Sequence, residues 1–494
     1  MKISRRRFAK FVGASAVLPA MLRRAAFAEA ADPALDPLRP EFHLLPPHNW
    51  MNDPNGPIWW KGKYHLFYQL NPGAAVWGDM HWGHAVSTDM IHWRHQPVAL
   101  APTPGGADSE GCFSGSAVVH EGVPTFIYTG VQNAPPAQAT IRDGNDKLRE
   151  TQMIATAEDD DLLHWKKREQ PVIAVPPAGV RVSGFRDPCP WREDDGWYLG
   201  IGSGERGKGG CVLLYRSQDL RSWEYLHKLA EGKPNGKQAE NPCDSGEMWE
   251  CPDFFALGKR HCLFYSTEGK VTWTTGRYDE RAHHYTPDHE GVLDHGAYYA
   301  PKSFQAPDGR RILWGWIQEK RPEAEFAAAG WSGAMSVPRV LEVDTAGKLM
   351  MMPAAEVESL RGARVASIQK QPGTWRWPLD ALRCEMSLRA EAPATVRLRT
   401  RGTVVWELHL DPATGEIKCG EQSFTADTPA RSLPTRMFLD GSVIETFFGT
   451  SDVLTSRVYT VAPGETELEV EMGADAVEPA VWTLAAMSPD RLTH

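Results

Sequence analysis

Cysteine is sparse: eight residues in 494, at positions 112, 189, 211, 243, 251, 262, 384 and 419, with no CxxC and no paired spacing. That excludes a disulfide-stapled small scaffold and a multi-cysteine zinc site, and makes buried free thiols the expectation. Long hydrophobic runs are missing too, since no stretch supplies the ~20 consecutive apolar residues that a spanning helix needs. Basic charge is in deficit, with 53 Lys and Arg against 63 Asp and Glu and a net charge of −10. A surface of that sign repels phosphate backbones and excludes nucleic acid as a partner. The pair His283-His284 and the run Asp159 to Asp161 lack the spacing of a zinc or calcium site, so no metal or cofactor is expected.

Aromatic surface and turn chemistry are plentiful instead. There are 19 Trp, 12 Tyr and 17 Phe beside 44 Gly and 38 Pro, which points to many short strands joined by turns, with flat rings suited to sugars. A chain of this length holds two or three domains of ~100 to 200 residues each. Residues 1–30, MKISRRRFAKFVGASAVLPAMLRRAAFAEA, place Ser4-Arg5-Arg6-Arg7-Phe8 before an apolar run from Phe11 to Leu22 and then small residues. The segment resembles a twin-arginine export signal cut after Ala28 or Ala30, which implies a periplasmic or secreted chain with no membrane attachment. Without it, 46 basic residues face 62 acidic ones and the net charge is −16. The oligomeric state is left open.

One pattern recurs five times: an apolar strand, a glycine turn and a second aromatic or β-branched strand. The copies are NDPNGPIWWKGKYHLFYQ, CFSGSAVVHEGVPTFIYTG, FRDPCPWREDDGWYLGIGSG, WECPDFFALGKRHCLFYST and YAPKSFQAPDGRRILWGWI. Their turn glycines, Gly62, Gly122, Gly196, Gly258 and Gly309, are spaced by 60, 74, 62 and 51 residues. A polar turn with an aromatic peg follows the first three copies: TDMIHW, DDLLHW and QDLRSW, ending at Trp93, Trp165 and Trp223. Five such units predict a five-bladed β-propeller over residues 41–345, with GWSGAMSVPRVLEV as closing strand material. From residue 370 strict alternation appears, as in Cys384, Met386, Leu388 against Glu385, Ser387, Arg389, and Asp440-Gly441 marks a hairpin. The expected architecture is all-β: the propeller, a linker over 346–369, and a β-sandwich over 370–494 that supports the propeller and carries no comparable polar pockets.

Counting back from the turn glycines, Asp53 and Asp187 lie nine residues before theirs, and Ser114 and Glu250 eight before theirs. If that place starts the innermost strand, all four side chains meet at one end of the channel. Clustered carboxylates raise one another's pKa and cost stability, so function explains them better than structure. Glycoside cleavage needs one ionised carboxyl group to attack and one protonated group to assist the leaving oxygen. Asp53, beside Asn52, is suited to attack; Glu250, between Trp249 and Cys251-Pro252, has less polar sequence neighbours suited to a proton donor. Asp187, beside the fixed cation of Arg186, is expected to stay charged and grip hydroxyls. Two long polar loops, 132–150 and 234–247, are expected to form the pocket rim, where sugars beyond the first are selected.

WMNDPNGP (50–57), FSGS (113–116), FRDP (185–188) and WECPDFF (249–255) resemble, in order, the signatures of glycoside hydrolase family 32, the invertases, inulinases and levanases. HWGHAVSTDMIHW, YYAPKSF, SVPR, FLDGSVIETFF and LTSRVY extend the resemblance over residues 43–460. It implies a retaining enzyme acting on a terminal β-fructofuranoside, with Asp53 as nucleophile, Glu250 as acid/base and Asp187 as transition-state stabiliser. It also implies that Asn52, Gln69, Trp77, Phe113, Ser114 and Arg186 line the fructose pocket, with Trp316 as a further contact. A fructose-containing saccharide is the partner it implies, whether sucrose, inulin or levan. The rival readings are a fructosyltransferase using the same carboxylates, a sugar-binding propeller without turnover, and a five-bladed glycosidase of arabinans or xylans.

Overall fold

The computed structural model describes residues 32–426 and 432–492; the segment resembling an export signal lies outside the described residues. Turn chemistry sets the blades. Gly62, Gly122, Gly258 and Gly309 adopt φ of +83°, +79°, +60° and +89°, a region that favours glycine, and each folds an innermost strand back on a second. Gly196 does not share that backbone; a Cβ there would stand 2.9 Å from the Ser217 carbonyl, so space selects it.

The five blades start with the innermost strands Asn49–Trp60, Gly111–His120, Val182–Glu193, Glu250–Leu257 and Tyr298–Gln305, and each continues outward through three more antiparallel strands. The ring closes where Trp331–Ser332, downstream of blade five's second strand, pairs in parallel with Asn49 and Trp50 of blade one. The three polar turns join third strands to fourth strands and are built alike. Asp89, Asp159 and Asp219 each accept backbone N–H groups from the following residues. The indoles of Trp93, Trp165 and Trp223 donate to the carbonyls of Met90, Leu162 and Leu220, residues held at φ of +67°, +58° and +60°.

Beyond the propeller, a six-stranded and a seven-stranded sheet form the sandwich, its core filled by the alternating Cys384, Met386, Leu388, Leu408, Leu410, Met437, Leu468 and Val470. Glu385, expected on a solvent face, is fully buried and held by Arg361 and Arg436. The stretch read as a linker is mostly structured: Leu349–Pro353 is the outer strand of blade five, and Arg361–Arg364 already belongs to the six-stranded sheet, with a 3-10 turn over Ala355–Leu360 between them.

The two domains are joined by buried ionic contacts. Arg339, at the third strand of blade five, reaches Asp294 at 2.9 Å and Glu445 of the sandwich at 2.5 Å. His43 bridges Asp440 at 2.9 Å and Glu445 at 3.0 Å, while Asp440 also accepts the backbone N–H groups of Glu41, Phe42 and His43. The Asp-Gly hairpin therefore does more than turn: Asp440 pins the segment leading into blade one.

Candidate active site

Every innermost strand slips register against its neighbour near its start. The slips fall between Met51 and Pro54, Phe113 and Gly115, Arg186 and Cys189, Glu250 and Asp253, and Tyr299 and Lys302. Bulges of this kind bend a strand and re-aim side chains. Proline supports four of them, as Asp53-Pro54, Asp187-Pro188, Cys251-Pro252 and Ala300-Pro301, and it lacks the N–H that regular pairing would use. Asp187, Cys251 and Ala300 sit at φ of +65°, +48° and +51°. By this register Cys251, not Glu250, is the counterpart of Asp187, and Glu250 stands one residue earlier, at the place of Arg186.

The bulges bring the three carboxylates together around Cys251. Its backbone N–H donates to Asp187 Oδ2 at 2.8 Å, and its thiol lies 3.3 Å from Asp53 Oδ2 and 3.5 Å from Asp187 Oδ2. Asp53 further accepts from Ser114 Oγ at 2.7 Å and from Asn52 Nδ2 at 3.1 Å, contacts that favour its ionised form. Glu250 accepts from Arg186 Nη2 at 2.9 Å and from the Tyr299 hydroxyl at 2.8 Å. All three carboxylates are buried.

Two sequence expectations about charge are corrected. Burial pushes the Asp187 carboxyl up to about 7; the Arg186 cation pulls it down, but Glu250 and Asp53 add to the rise. Arg186 is adjacent in sequence yet spends its guanidinium on Glu150, at 2.9 Å, and on Glu250. Nor does Glu250 sit in apolar surroundings, because alternation along the strand turns its neighbour Trp249 away to stack on Tyr265, with centroids 3.7 Å apart. Its near neighbours are a cation and a phenol.

The remaining residues expected at the pocket sit around this cluster. Asn52 is buried, and its amide oxygen accepts from the Trp50 indole at 2.7 Å. Trp50 is tilted on Trp316, with centroids 5.7 Å apart, and the buried indole N–H of Trp316 has no acceptor among the described residues. Gln69 donates to the Cys112 carbonyl at 2.9 Å. Phe113 is half-buried and meets the exposed Trp77 edge to face at 5.9 Å. Tyr299, Cys251 and Glu150 were not singled out from sequence. A signal for Tyr299 exists, since Ala300-Pro301 repeats the Asp-Pro spacing nine residues before Gly309; for Glu150, which acts through a residue of another blade, there is none.

Residues 43–353 match the N-terminal domain of glycosyl hydrolases family 32. The sucrose-6-phosphate hydrolase of Escherichia coli is 38% identical over 475 residues, 87% of this chain and 91% of that one. The raffinose invertase of Escherichia coli is 41% identical over 341 residues, 65% of this chain and 66% of that one. A variant of a β-fructofuranosidase from Bombyx mori, solved in complex with sucrose, superposes with a TM-score of 0.77 at 30% identity, over 92% of this chain and 96% of that one.

Proposed function

The chain belongs to glycosyl hydrolase family 32, and on that premise we propose that it releases fructose, with retention, from terminal β-D-fructofuranosides such as sucrose, inulin or levan. Asp53 attacks the anomeric carbon, the glycosidic C–O bond breaks, and Glu250 passes its proton to the departing oxygen. Glu250 then takes a proton from water, whose oxygen displaces Asp53 and frees the fructose. Asp187 and Arg186 hold the fructose hydroxyls, with Asn52, Gln69, Trp77, Phe113, Ser114 and Trp316 lining the pocket.

The observation that carries this reading is the meeting of Asp53 and Asp187, from blades one and three, on Cys251 of blade four, with the charge of the adjacent Glu250 acting on Asp187. Three donors to Asp53 suit a nucleophile that must be ionised. The proton needed on Glu250 comes from the coupled cluster. With the site empty, Asp187 holds a proton up to about pH 7. Substrate hydroxyls donating to Asp187 favour its charged form, and the repulsion between like charges then moves the proton to Glu250. Retention requires the Asp53 and Glu250 carboxyl groups to stand about 5–5.5 Å apart, against ~6.5–9.5 Å for inversion.

We also propose that residues 1–30 direct export to the periplasm or beyond the cell. The test of the main reading is incubation of the wild type and Asp53→Ala with sucrose, inulin and levan, following free fructose and the configuration first released. Fructose from the wild type alone, in the β form, is expected. No release from any of the three would refute the reading, and trisaccharides accumulating at high sucrose would move it to fructosyl transfer.

A further inference from the structure

Glu150 is a buried carboxylate on blade two, the one blade of the first four that supplies none of the three catalytic acids. It lies on the third strand of that blade, Leu148–Ala157, where Glu150 and Gln152 share a face. That face grips blade three. Glu150 Oε2 accepts the Phe185 backbone N–H at 2.5 Å, and Gln152 donates to the Phe185 carbonyl at 2.8 Å. The Asp187 N–H donates to the Thr129 hydroxyl at 2.9 Å, and that hydroxyl donates to Gln152 Oε1 at 3.2 Å. The segment carrying Arg186 and Asp187 is therefore held through its backbone. Nothing in this grip requires a charge at position 150, because an amide oxygen can also accept a backbone N–H.

The charge is directed at Arg186 instead. Glu150 Oε1 takes Nη1 at 2.9 Å, while Nη2 donates to Glu250 at 2.9 Å and to the Cys243 sulfur at 3.4 Å. Gly184 makes room for the guanidinium: a Cβ there would lie 2.7 Å from Arg186 Nη1 and 2.4 Å from the Met248 sulfur. Burial opposes the Arg186 cation, but Glu150 first and Glu250 second raise its pKa well above the ordinary value. Arg186 stays charged, and its charge is divided between two acids. A planar guanidinium otherwise grips one carboxylate through two parallel N–H bonds, the strongest form of the pair. A general acid gripped in that way is held ionised and has no proton to give.

We propose that Glu150 is a positioning residue for proton transfer: by holding Nη1 it keeps Arg186 from closing on Glu250 with both nitrogens, so that Glu250 can carry the proton it donates. It acts through Arg186 and touches no substrate. This rests on the fructosidase reading above. The other titratable groups facing the Arg186–Glu250 pair are Asp53, Asp187, Tyr299, the thiols of Cys243 and Cys251, and Lys302, which donates to the Pro252 carbonyl at 2.9 Å. The test leaves all of them in place.

Glu150→Gln separates the grip from the charge. Its amide oxygen can accept the Phe185 N–H, which turns its NH2 group towards Nη1, where two donors repel, and Arg186 is released to Glu250. A tighter grip on the charged form makes the coupled Asp187–Glu250 pair give up its proton at lower pH. The kcat/KM on sucrose is measured across pH, together with the melting temperature. The basic limb is expected to move down by about one unit, so that kcat/KM falls about tenfold on that limb and approaches the wild-type value on its acid side. Glu150→Met, which loses the grip as well, is expected to melt lower and to move the limb in the same direction. A basic limb that stays or rises in either folded variant overturns the proposal, as does failure of both variants to fold, which would leave Glu150 a purely structural prop. A wild type inactive on sucrose, inulin and levan would instead refute the fructosidase reading, and this proposal with it.

Discussion

Replacing Tyr299 with Phe separates the two catalytic assignments. The Tyr299 hydroxyl donates to Glu250 Oε2 at 2.8 Å, and the ring is buried against the pocket wall, so the substitution removes one donor and leaves the packing. A hydrogen bond to a charged group contributes about 1.5–3 kcal/mol. At 1.36 kcal/mol per pH unit that is about one to two units, and the Arg186 contact that remains on Glu250 places the effect near the lower end. If Glu250 donates the proton, the free enzyme works only while the coupled Asp187–Glu250 pair holds that proton, and its loss from the pair sets the basic limb of kcat/KM against pH. Losing a donor to the charged form makes ionisation harder. The basic limb on sucrose is therefore expected to move about one unit to higher pH, with the acid limb in place. A basic limb that stays put, or an acid limb that moves, refutes the assignment of Glu250.

The converse holds for Ser114→Ala, which takes the 2.7 Å donor from Asp53: the acid limb is expected to move up by about one unit while the basic limb stays, and the same profile checks it. Asp187→Asn is expected to abolish turnover yet raise the melting temperature at pH 8. Its folded carboxyl titrates at about 7 instead of the usual 3.8, so the folded state holds the proton more tightly, and stability is lost as pH rises from about 4 through 7, by up to about 4 kcal/mol. A variant that melts at or below the wild-type temperature at pH 8 would contradict this. His43 has the opposite sign. Burial opposes its charge, but Asp440 and Glu445 outweigh burial and push it from 6.5 up to about 9, so its contribution, about 3 kcal/mol, is complete below pH 6.5 and lost as pH rises through 9. His43→Gln is expected to flatten the alkaline fall in melting temperature, and equal slopes for the two proteins would refute it.

Local chemistry was legible and charge environment was not. The turn glycines and the Asp-to-Trp turns can be read because each is closed by residues within six positions of one another, and propeller blades repeat such local devices. Alternation placed Cys384, Met386 and Leu388 inward for the same reason, but Glu385 escaped it because its partners, Arg361 and Arg436, arrive from 24 and 51 residues away. The error over Asp187 has the same origin. Arg186 is its neighbour in sequence, yet Glu150 and Glu250 claim the guanidinium from 36 and 64 residues away, and burial then governs the carboxyl. The sandwich, expected to carry no polar pockets comparable to the propeller's, does have one: cross-strand ladders of Arg376, Arg397 and Arg399 against Glu407, Glu469 and Glu471 line a cavity of about 590 Å³.

The repeated bulge explains how a nearly symmetric scaffold makes an asymmetric site. Immediately before the proline or, in blade two, before Gly115, the five innermost strands present Asp53, Ser114, Asp187, Cys251 and Ala300, and one residue earlier Asn52, Phe113, Arg186, Glu250 and Tyr299. In the first set two carboxylates alternate with three small side chains, which leave room beside the acids. In the second set Asn52 donates to Asp53, while Arg186 and Tyr299 both donate to Glu250. Four of the five slips contain or end at a proline, and the fifth ends at Gly115, where a Cβ would meet the Ile127 carbonyl at 2.2 Å. The backbone distortion is thus written into the strand itself and does not depend on the acids. Carboxylates that repel one another are held in place by blade geometry, which is why Asp53, Asp187 and Glu250 can meet in a buried site whose electrostatics alone would drive them apart.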